Sequence, residues 1–432
     1  SEMCIRDSLY SIAKKYYEAL LADPGNAQFH LTDPRGASDK SGRTFNNPYQ
    51  YFFEQMHMDD AIYADESIYE YPMQQGGGND GRPYSFGRPS SGGSKAAYPC
   101  KSYGQGRINP AYFYGVFDPN DMRRDVSITM TGSNGKGVEK LIPFVPNSKA
   151  EGGGLTLNKW DENRQANPWV AAQRKSGING PYMRMSEVYL GYAEVCAALG
   201  DVVTGKQYLK TVRERSFPQG LANTDAFIAS FGNDLVRAII EERGFEYAGE
   251  GDRRWTLIRS GYLPEDIKRI KDMTKAMMDG LATKGYYEFE NGNIISAYIW
   301  TKLVDAKTIY GHRLTAQCPT DKVNDPVLYP GWRGQKDNWE EMGLNYGSST
   351  PATNLAIKGL FEIVSEEEAA SLESQGYAKV NWGIDLVDYR DEYDKYLFWD
   401  YDYVSAPIYL WPFTPNVMAA GGFTNGYGFK QE

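Results

Sequence analysis

Between Tyr182 and Leu199 apolar side chains return every third or fourth residue: Met185, Val188, Tyr189, Tyr192, Val195, Cys196 and Leu199. That is the helical period, so the segment predicts an amphipathic helix over 182–199 with one buried stripe. Gly200-Asp201 ends it. Tyr208, Leu209 and Val212 then continue the pattern on a second helix, with Arg213, Glu214 and Arg215 on its other side. The two read as one tetratricopeptide-type hairpin of about 34 residues. A third helix is predicted over 225–247, capped by Thr224 or Asp225. A fourth follows over 264–281, where Met273, Met277 and Met278 read as core filler. Leu9, Ile12, Ala13, Tyr16 and Leu20 place another over 9–22, stopped by Asp23-Pro24-Gly25-Asn26.

The rest is less periodic. Residues 49–58 are aromatic and helix-compatible, 62–73 look like a short strand, and 131–137 is a turn between strand-like pieces. After about Tyr286 the chain reads as loops with short helices, with Trp300, Trp332, Trp339, Trp382 and Trp399 scattered among them. The predicted fold is therefore mainly α: a helical scaffold with long ordered loops and few short strands. Its layout is a loop-rich part over 23–181, a helical core over 182–285 and a loop-rich C-terminal part over 286–432, with residues 182–248 as the packed centre.

Composition narrows the chemistry. Of 432 residues 14% are aromatic, and 33 are tyrosine. Tyr joins a flat apolar face to a hydroxyl, which suits sugars and wet interfaces as well as the packing of loops. The net charge is −10 with no basic run, which excludes a phosphate-tracking nucleic-acid binder. The four cysteines form no Cys-x-x-Cys pair. Cys196 falls in a helix as a small buried hydrophobe, whereas Cys100 and Cys318 lie in loop-like sequence that leaves pairing open. Three scattered histidines do not suggest zinc. Asp118-Pro119-Asn120-Asp121 is a turn feeding a helix and lacks the calcium-loop spacing. The 131–137 segment lacks the phosphate-loop spacing. No cofactor is implied.

Glu246 and Glu250 lie four apart and are the one tempting carboxylate pair for glycoside hydrolysis. Arg243, Arg253 and Arg254 crowd the same turn, and cations lower a carboxyl pKa, opposite to what a general acid needs. The turn reads instead as ion pairs tying the third helix to the next. No Gly-x-Ser-x-Gly is present. The Gly-, Pro- and Tyr-rich segment 74–114 sets Tyr84, Tyr98, Tyr103, Tyr112 and Tyr114 beside Asn79, Asp80, Arg82, Gln105, Arg107 and Asn109. Aromatic planes for pyranose C–H faces and polar groups for hydroxyls are what a sugar site requires. The candidate ligand-binding residues are Tyr84, Tyr98, Tyr103, Arg107, Asn109 and Tyr112.

Three segments carry a family resemblance. Glu242-Arg243, Glu246, Glu250-Gly251, Arg253, Leu257, Arg259 and Gly261 fall in register with the signature turn of the SusD/RagB family, with Thr256 where that pattern has Asp. Residues 184–194 are similar to the family's Arg-x-Ala-Glu-Val helix. Residues 409–416 resemble its Pro-rich end, followed by Asn425-Gly426-Tyr427 but without the family's Glu. Residues 117–125 add a likeness to the family's Asp-Pro-Arg-Arg segment. The resemblance implies one SusD/RagB-like domain over 1–432 on a tetratricopeptide-type scaffold. It further implies a surface lipoprotein of the cell outer membrane that binds an oligosaccharide and hands it to a SusC-like TonB-dependent transporter. Part of the glycan site would come from the loops before the Asp-Pro-Arg-Arg segment. The chain opens inside a helical pattern, so the resemblance also implies a missing N-terminal part bearing the lipid anchor, the only contact with the membrane. A glycan-degrading enzyme on a helical scaffold and a tetratricopeptide-type protein-binding adaptor are the alternatives.

Overall fold

A computed structural model describes residues 2–23, 30–33, 35, 48–49, 52–53, 66–76, 85–90, 102–133, 139–146, 152–160, 176–305, 353–397 and 414–422. Helix α1 (Glu2–Ala22) is followed by strand β1 (Ser67–Tyr71) and a single π-helical turn at Tyr112–Val116. Next come the short helix α2 (Arg123–Ser127), β2 (Ile128–Thr129), β3 (Thr131–Ser133), β4 (Glu139–Leu141) and β5 (Thr156–Leu157). These strands form two small antiparallel pairs, β2 with β5 and β3 with β4, so residues 131–133 of the predicted turn are strand and 134–137 lie outside the described residues. Strand β6 (Gly180–Arg184) pairs antiparallel with β1 and leads straight into α3 (Met185–Ala198). The helix predicted from 182 thus begins later, because its first residues belong to the ribbon.

Helices α3 and α4 (Val202–Ser216) form the predicted hairpin. Gly200 turns the chain at φ +87°, and Asp201 accepts a hydrogen bond from the Thr204 amide to cap α4. The helices cross closely at Gly205, where a Cβ would lie 2.9 Å from the Ala193 carbonyl oxygen. The predicted third helix is two helices, α5 (Thr224–Ser230) and α6 (Leu235–Glu246). Gly232 and Asn233 between them take positive φ, and Asp234 caps α6. The cap of α5 is Asn223, not Thr224 or Asp225. Helices α7 (Asp252–Ser260) and α8 (Leu263–Lys284) complete the helical region.

The C-terminal part corrects the expectation of loops and short helices. Strands β7 (Tyr286–Glu288) and β8 (Ile294–Ser296) pair. Strand β9 (Tyr298–Asp305) is then the centre of an antiparallel sheet, between β10 (Thr353–Lys358) and β11 (Ala378–Asn381). The short helices α9 (Glu366–Ser374), α10 (Gly383–Asp388), α11 (Arg390–Leu397) and α12 (Pro415–Gly421) follow in the same part of the chain. Residues such as Ile299, Trp300 and Ile357 suit a pleated surface buried on both faces, a short run that periodicity alone does not separate from a buried helix.

The core is also less central than 182–248. One cluster does lie there, with Leu190, Ala193, Leu209, Val212, Ala238 and Ile239 joining α3, α4 and α6. The larger cluster joins the π-turn and β2–β4 region to α8 and the C-terminal sheet through Phe113, Tyr114, Phe144, Met277, Met278, Ile299 and Trp382. Trp382 Nε1 donates to the Tyr114 hydroxyl at 2.8 Å, which offsets the cost of burying both polar tips. Met277 and Met278 fill this core as expected, with Met273 packed at its margin, and Cys196 is buried with a free thiol. Cys100, Cys318, Trp332, Trp339, Trp399 and residues 409–413 lie outside the described residues. No helix among the described residues is long and apolar enough to cross a membrane.

Leu209 is fully buried where α3, α4 and α6 meet. Leu209→Ala should lower stability by about 2–5 kcal/mol, measured as a lower denaturation midpoint at unchanged slope.

Candidate functional site

Helix α6 ends at Glu246, and a dense set of buried charges gathers around that end. Glu246 Oε1 accepts from Arg184 Nη1 and Arg215 Nη2, both at 2.6 Å, and Oε2 accepts from Arg123 Nη1 at 3.1 Å. Its backbone carbonyl accepts from Arg184 Nη2, Lys159 Nζ and the Tyr49 hydroxyl. Glu66, just before β1, accepts from Arg184 at 3.0 Å and from Arg215. Glu250, in the turn after α6, takes Lys159 at 2.6 Å and Arg184 at 2.9 and 3.0 Å. Glu242, one helical turn earlier, joins Arg123 at 2.7 Å to Arg213 at 2.6 Å, and Asp121 holds the other side of Arg123. Arg123, Lys159, Arg184, Arg213 and Arg215 thus face Glu66, Asp121, Glu242, Glu246 and Glu250. The set is neutral and almost wholly buried.

Burial alone would raise the Glu246 carboxyl, but the guanidiniums of Arg184, Arg215 and Arg123 outweigh it and hold the group well below the usual carboxylate range. Glu250 is likewise lowered, against its own burial, by Arg184 and Lys159. Lys159 is pulled by burial from 10.5 down to about 8 despite Glu250 beside it. A proton donor for glycoside cleavage needs the opposite shift to that of the two acids. The cations responsible are not the ones next to these acids in sequence. Arg243 and Arg253 make the second part of the expectation true instead. Arg243 pairs with Asp252 and with Glu187 of α3, and Arg253 pairs with Glu241 and Asp266 at 2.9 Å each. These ties bind α6 to α7, α3 and α8.

The proposed ligand loop is rooted on this frame. Within it, Ser90 and Ser102 exchange backbone hydrogen bonds at 3.0 and 3.2 Å. Arg88 beside them is buried against Glu139 and donates to Thr131 Oγ1 at 3.1 Å. Tyr84 and Tyr98 lie outside the described residues, as do Asn79, Asp80 and Arg82. Tyr103 is half-buried. Arg107 is partly buried beside Gly153, whose added Cβ would fall 2.8 Å from Nε, and burial lowers it to about 10. Asn109 donates to Thr274 Oγ1 at 2.9 Å and accepts from the Ala111 amide at 2.8 Å. The Tyr112 hydroxyl donates to the Gly244 carbonyl at 2.9 Å. The polar atoms of Asn109 and Tyr112 are therefore engaged inside the protein and fasten the loop to α8 and α6.

The sequence profile of the SusD family matches residues 28–413. The chain belongs to the SusD family. Among its relatives, SusD-like protein P25 of Formosa agariphila is 28% identical over 160 residues, 37% of this chain and 26% of that protein. A SusD homolog from Bacteroides thetaiotaomicron aligns with a TM-score of 0.42 at 19% identity, over 62% of this chain and 52% of that one. Surface glycan-binding protein A from the same organism, solved in complex with laminarihexaose, aligns with a TM-score of 0.40 at 20% identity, over 61% and 52%. The chain spans about half the length of these solved relatives.

Within the SusD signature turn, the departure at Thr256 has a local account. Thr256 Oγ1 donates to Asp252 Oδ2 at 2.9 Å and accepts from Arg243 Nε at 3.3 Å. A neutral hydroxyl suffices there because Glu187 and Asp252 already neutralise Arg243. Several network members of this SusD protein carried no signal in the sequence: Glu66, Tyr49, Lys159 and Arg215 sit in unremarkable local sequence and meet only in the fold. Three exposed tyrosines, Tyr69, Tyr71 and Tyr182, also lie outside the predicted set. The alternation over Ser67–Tyr71 was the available clue for two of them.

Three measurements of unfolding free energy test the network. Glu246→Gln leaves Arg184, Arg215 and Arg123 short of a buried counter-charge and should cost about 3–5 kcal/mol of stability. Because Glu246 and Glu250 are lowered in the folded state, their contribution is full above about pH 4.5 and is lost as pH falls below it, where the unfolded chain takes up protons first. Lys159 has the opposite consequence. The unfolded chain keeps its proton up to about 10.5 while the folded one releases it near 8, so stability should rise between those pH values. Lys159→Met should flatten that rise in a series of denaturant titrations.

Proposed function

We propose that this protein binds an oligosaccharide at the outer cell surface, as an outer-membrane lipoprotein, and delivers it to a SusC-like TonB-dependent transporter without altering it chemically. The observation that carries this reading is the match to the SusD family over residues 28–413. The carboxylate environment agrees with it. Glu246 and Glu250 are occupied by Arg184, Arg215, Arg123 and Lys159 and held ionised, so they serve the fold and not a proton transfer.

In this reading the ligand lies on the aromatic loop 74–114, with Tyr84, Tyr98 and Tyr103 stacking on pyranose faces and Arg107 taking hydroxyls. Asn109 and Tyr112 fix the root of the loop. The whole chain, 1–432, acts as one unit in which the helical frame sets the position of its loops.

Isothermal titration against a panel of oligosaccharides tests the proposal. Tyr84→Ala, Tyr98→Ala and Tyr103→Ala should each weaken binding by about 1 kcal/mol, and the triple variant should lose binding while melting like the parent. Equal affinity in all three would place the ligand elsewhere. Enzyme-dependent release of reducing sugar from any glycan would overturn the non-catalytic reading.

A further inference from the structure

The β1–β6 ribbon carries a feature that the loop does not absorb. Its inner side is buried, with Ser67, Pro181 and Arg184 facing inward. Its outer side presents Tyr69, Tyr71 and Tyr182 at 59%, 52% and 74% exposure, beside Met183 at 42%. Tyr69 and Tyr182 stand edge to face, 5.7 Å apart at 87°. Strand pairing shifts register on both sides of Tyr69, a bulge that sets Tyr69 opposite Met183 and next to Tyr182.

These rings sit on rigid footing. Glu66 immediately before β1 and Arg184 at the end of β6 are joined at 3.0 Å in the buried charge network. At the ribbon's other end, Asn179 Nδ2 donates to Glu70 at 2.8 Å and Asn179 Oδ1 accepts from the Met73 amide at 2.8 Å. Strand β1 runs directly into the aromatic loop. The loop's first residues press against the approach to β6, where a Cβ on Gly177 would lie 2.9 Å from Gln75 Cβ. The ribbon and the loop root are therefore continuous.

We propose that the ribbon is a second stacking subsite, for an uncharged pyranose oligosaccharide. The inference rests on the binding function proposed above and adds the ligand class. Tyrosine faces match the C–H faces of pyranose rings, and their hydroxyls reach ring substituents. Tyr69 and Tyr71, two residues apart on one strand, are separated by about 7 Å, so one extended ligand can span them. Charge selects the class. The two strands carry only Glu70 and Arg184, and Arg184 is buried and neutralised. A uronate or sulfated glycan would find no exposed cation on these two strands, whose single other charge, Glu70, is turned to Asn179.

The experiment is titration of the full chain with uncharged oligosaccharides (β-glucan, xylan and starch fragments) and with sulfated and uronate ones. Tyr69→Ala and Tyr182→Ala should each weaken binding of the uncharged ligand by about three- to tenfold. Tyr182→Phe, which keeps the ring, should stay within about twofold. Because the side chains are exposed, circular dichroism melts of these variants should match the parent; if an alanine variant melts early, Tyr182→Phe and Tyr182→Ser at lower temperature decide between lost stacking and lost fold. If the parent binds uncharged glycan and the ribbon variants bind it equally well, the subsite is wrong and the function stands. A parent preferring anionic glycans overturns the ligand class. A parent that binds no glycan overturns the function and the ribbon with it.

Discussion

A guanidinium in a dry interior must satisfy its N–H groups with acceptors and its charge with carboxylates, or the chain does not close around it. Arg184 meets that demand with Glu246, Glu250 and Glu66, which come from the end of α6, the turn after it and the start of β1. The other elements are placed by the same exchange. Arg215 brings α4 to Glu246 and Glu66, Arg123 brings α2 to Glu242 and Glu246, and Lys159 brings the segment after β5 to Glu250. A slip of α6 by one residue would carry Glu242 and Glu246 away from their arginines together. The network therefore constrains register more than it adds stability, since desolvating so many charged groups offsets most of their mutual attraction.

Aromatic rings lower the desolvation cost. Arg184 lies 4.8 Å from the Tyr247 ring centroid, Arg213 lies 3.7 Å from that of Phe227, and Arg124 lies 4.2 Å from that of Phe361. Each ring accepts a cation whose edge is already hydrogen-bonded, so the polar network passes directly into the apolar clusters. Part of the chain's high aromatic content is explained by this internal role, and Tyr49 and Tyr247 belong to it.

Other tyrosines face outward from the same frame. The ribbon that presents Tyr69, Tyr71 and Tyr182 begins and ends in the charge network, and the loop beyond it is tied down at Asn109, at Tyr112 and where Ser90 meets Ser102. In the proposed reading, these ties beneath exposed aromatic side chains keep the ordering cost of binding low, because the rings need little further immobilisation. The network has withdrawn Arg184 and its neighbouring cations from the surface.

Local order was readable from the chain alone wherever one face of a helix is apolar and its ends carry capping or Gly residues. The α3–α4 hairpin and α8 follow from spacing, and the charged turn over 242–261 was recognisable as a family signature because its acids, arginines and glycines lie close together in sequence. The break at Gly232-Asn233 carried its own signal, a Gly-Asn pair followed by the Asp234 cap, but apolar residues at helical spacing on both sides masked it. The C-terminal sheet was missed because β9 finds β10 and β11 far along the chain, and a short apolar run has no period of its own. At the site, the acids Glu246 and Glu250 were visible, but the cations that hold them were not. Arg184, Arg215, Arg123 and Lys159 are remote in sequence, and only tertiary packing brings their charges within hydrogen-bond reach, where burial makes each pairing obligatory.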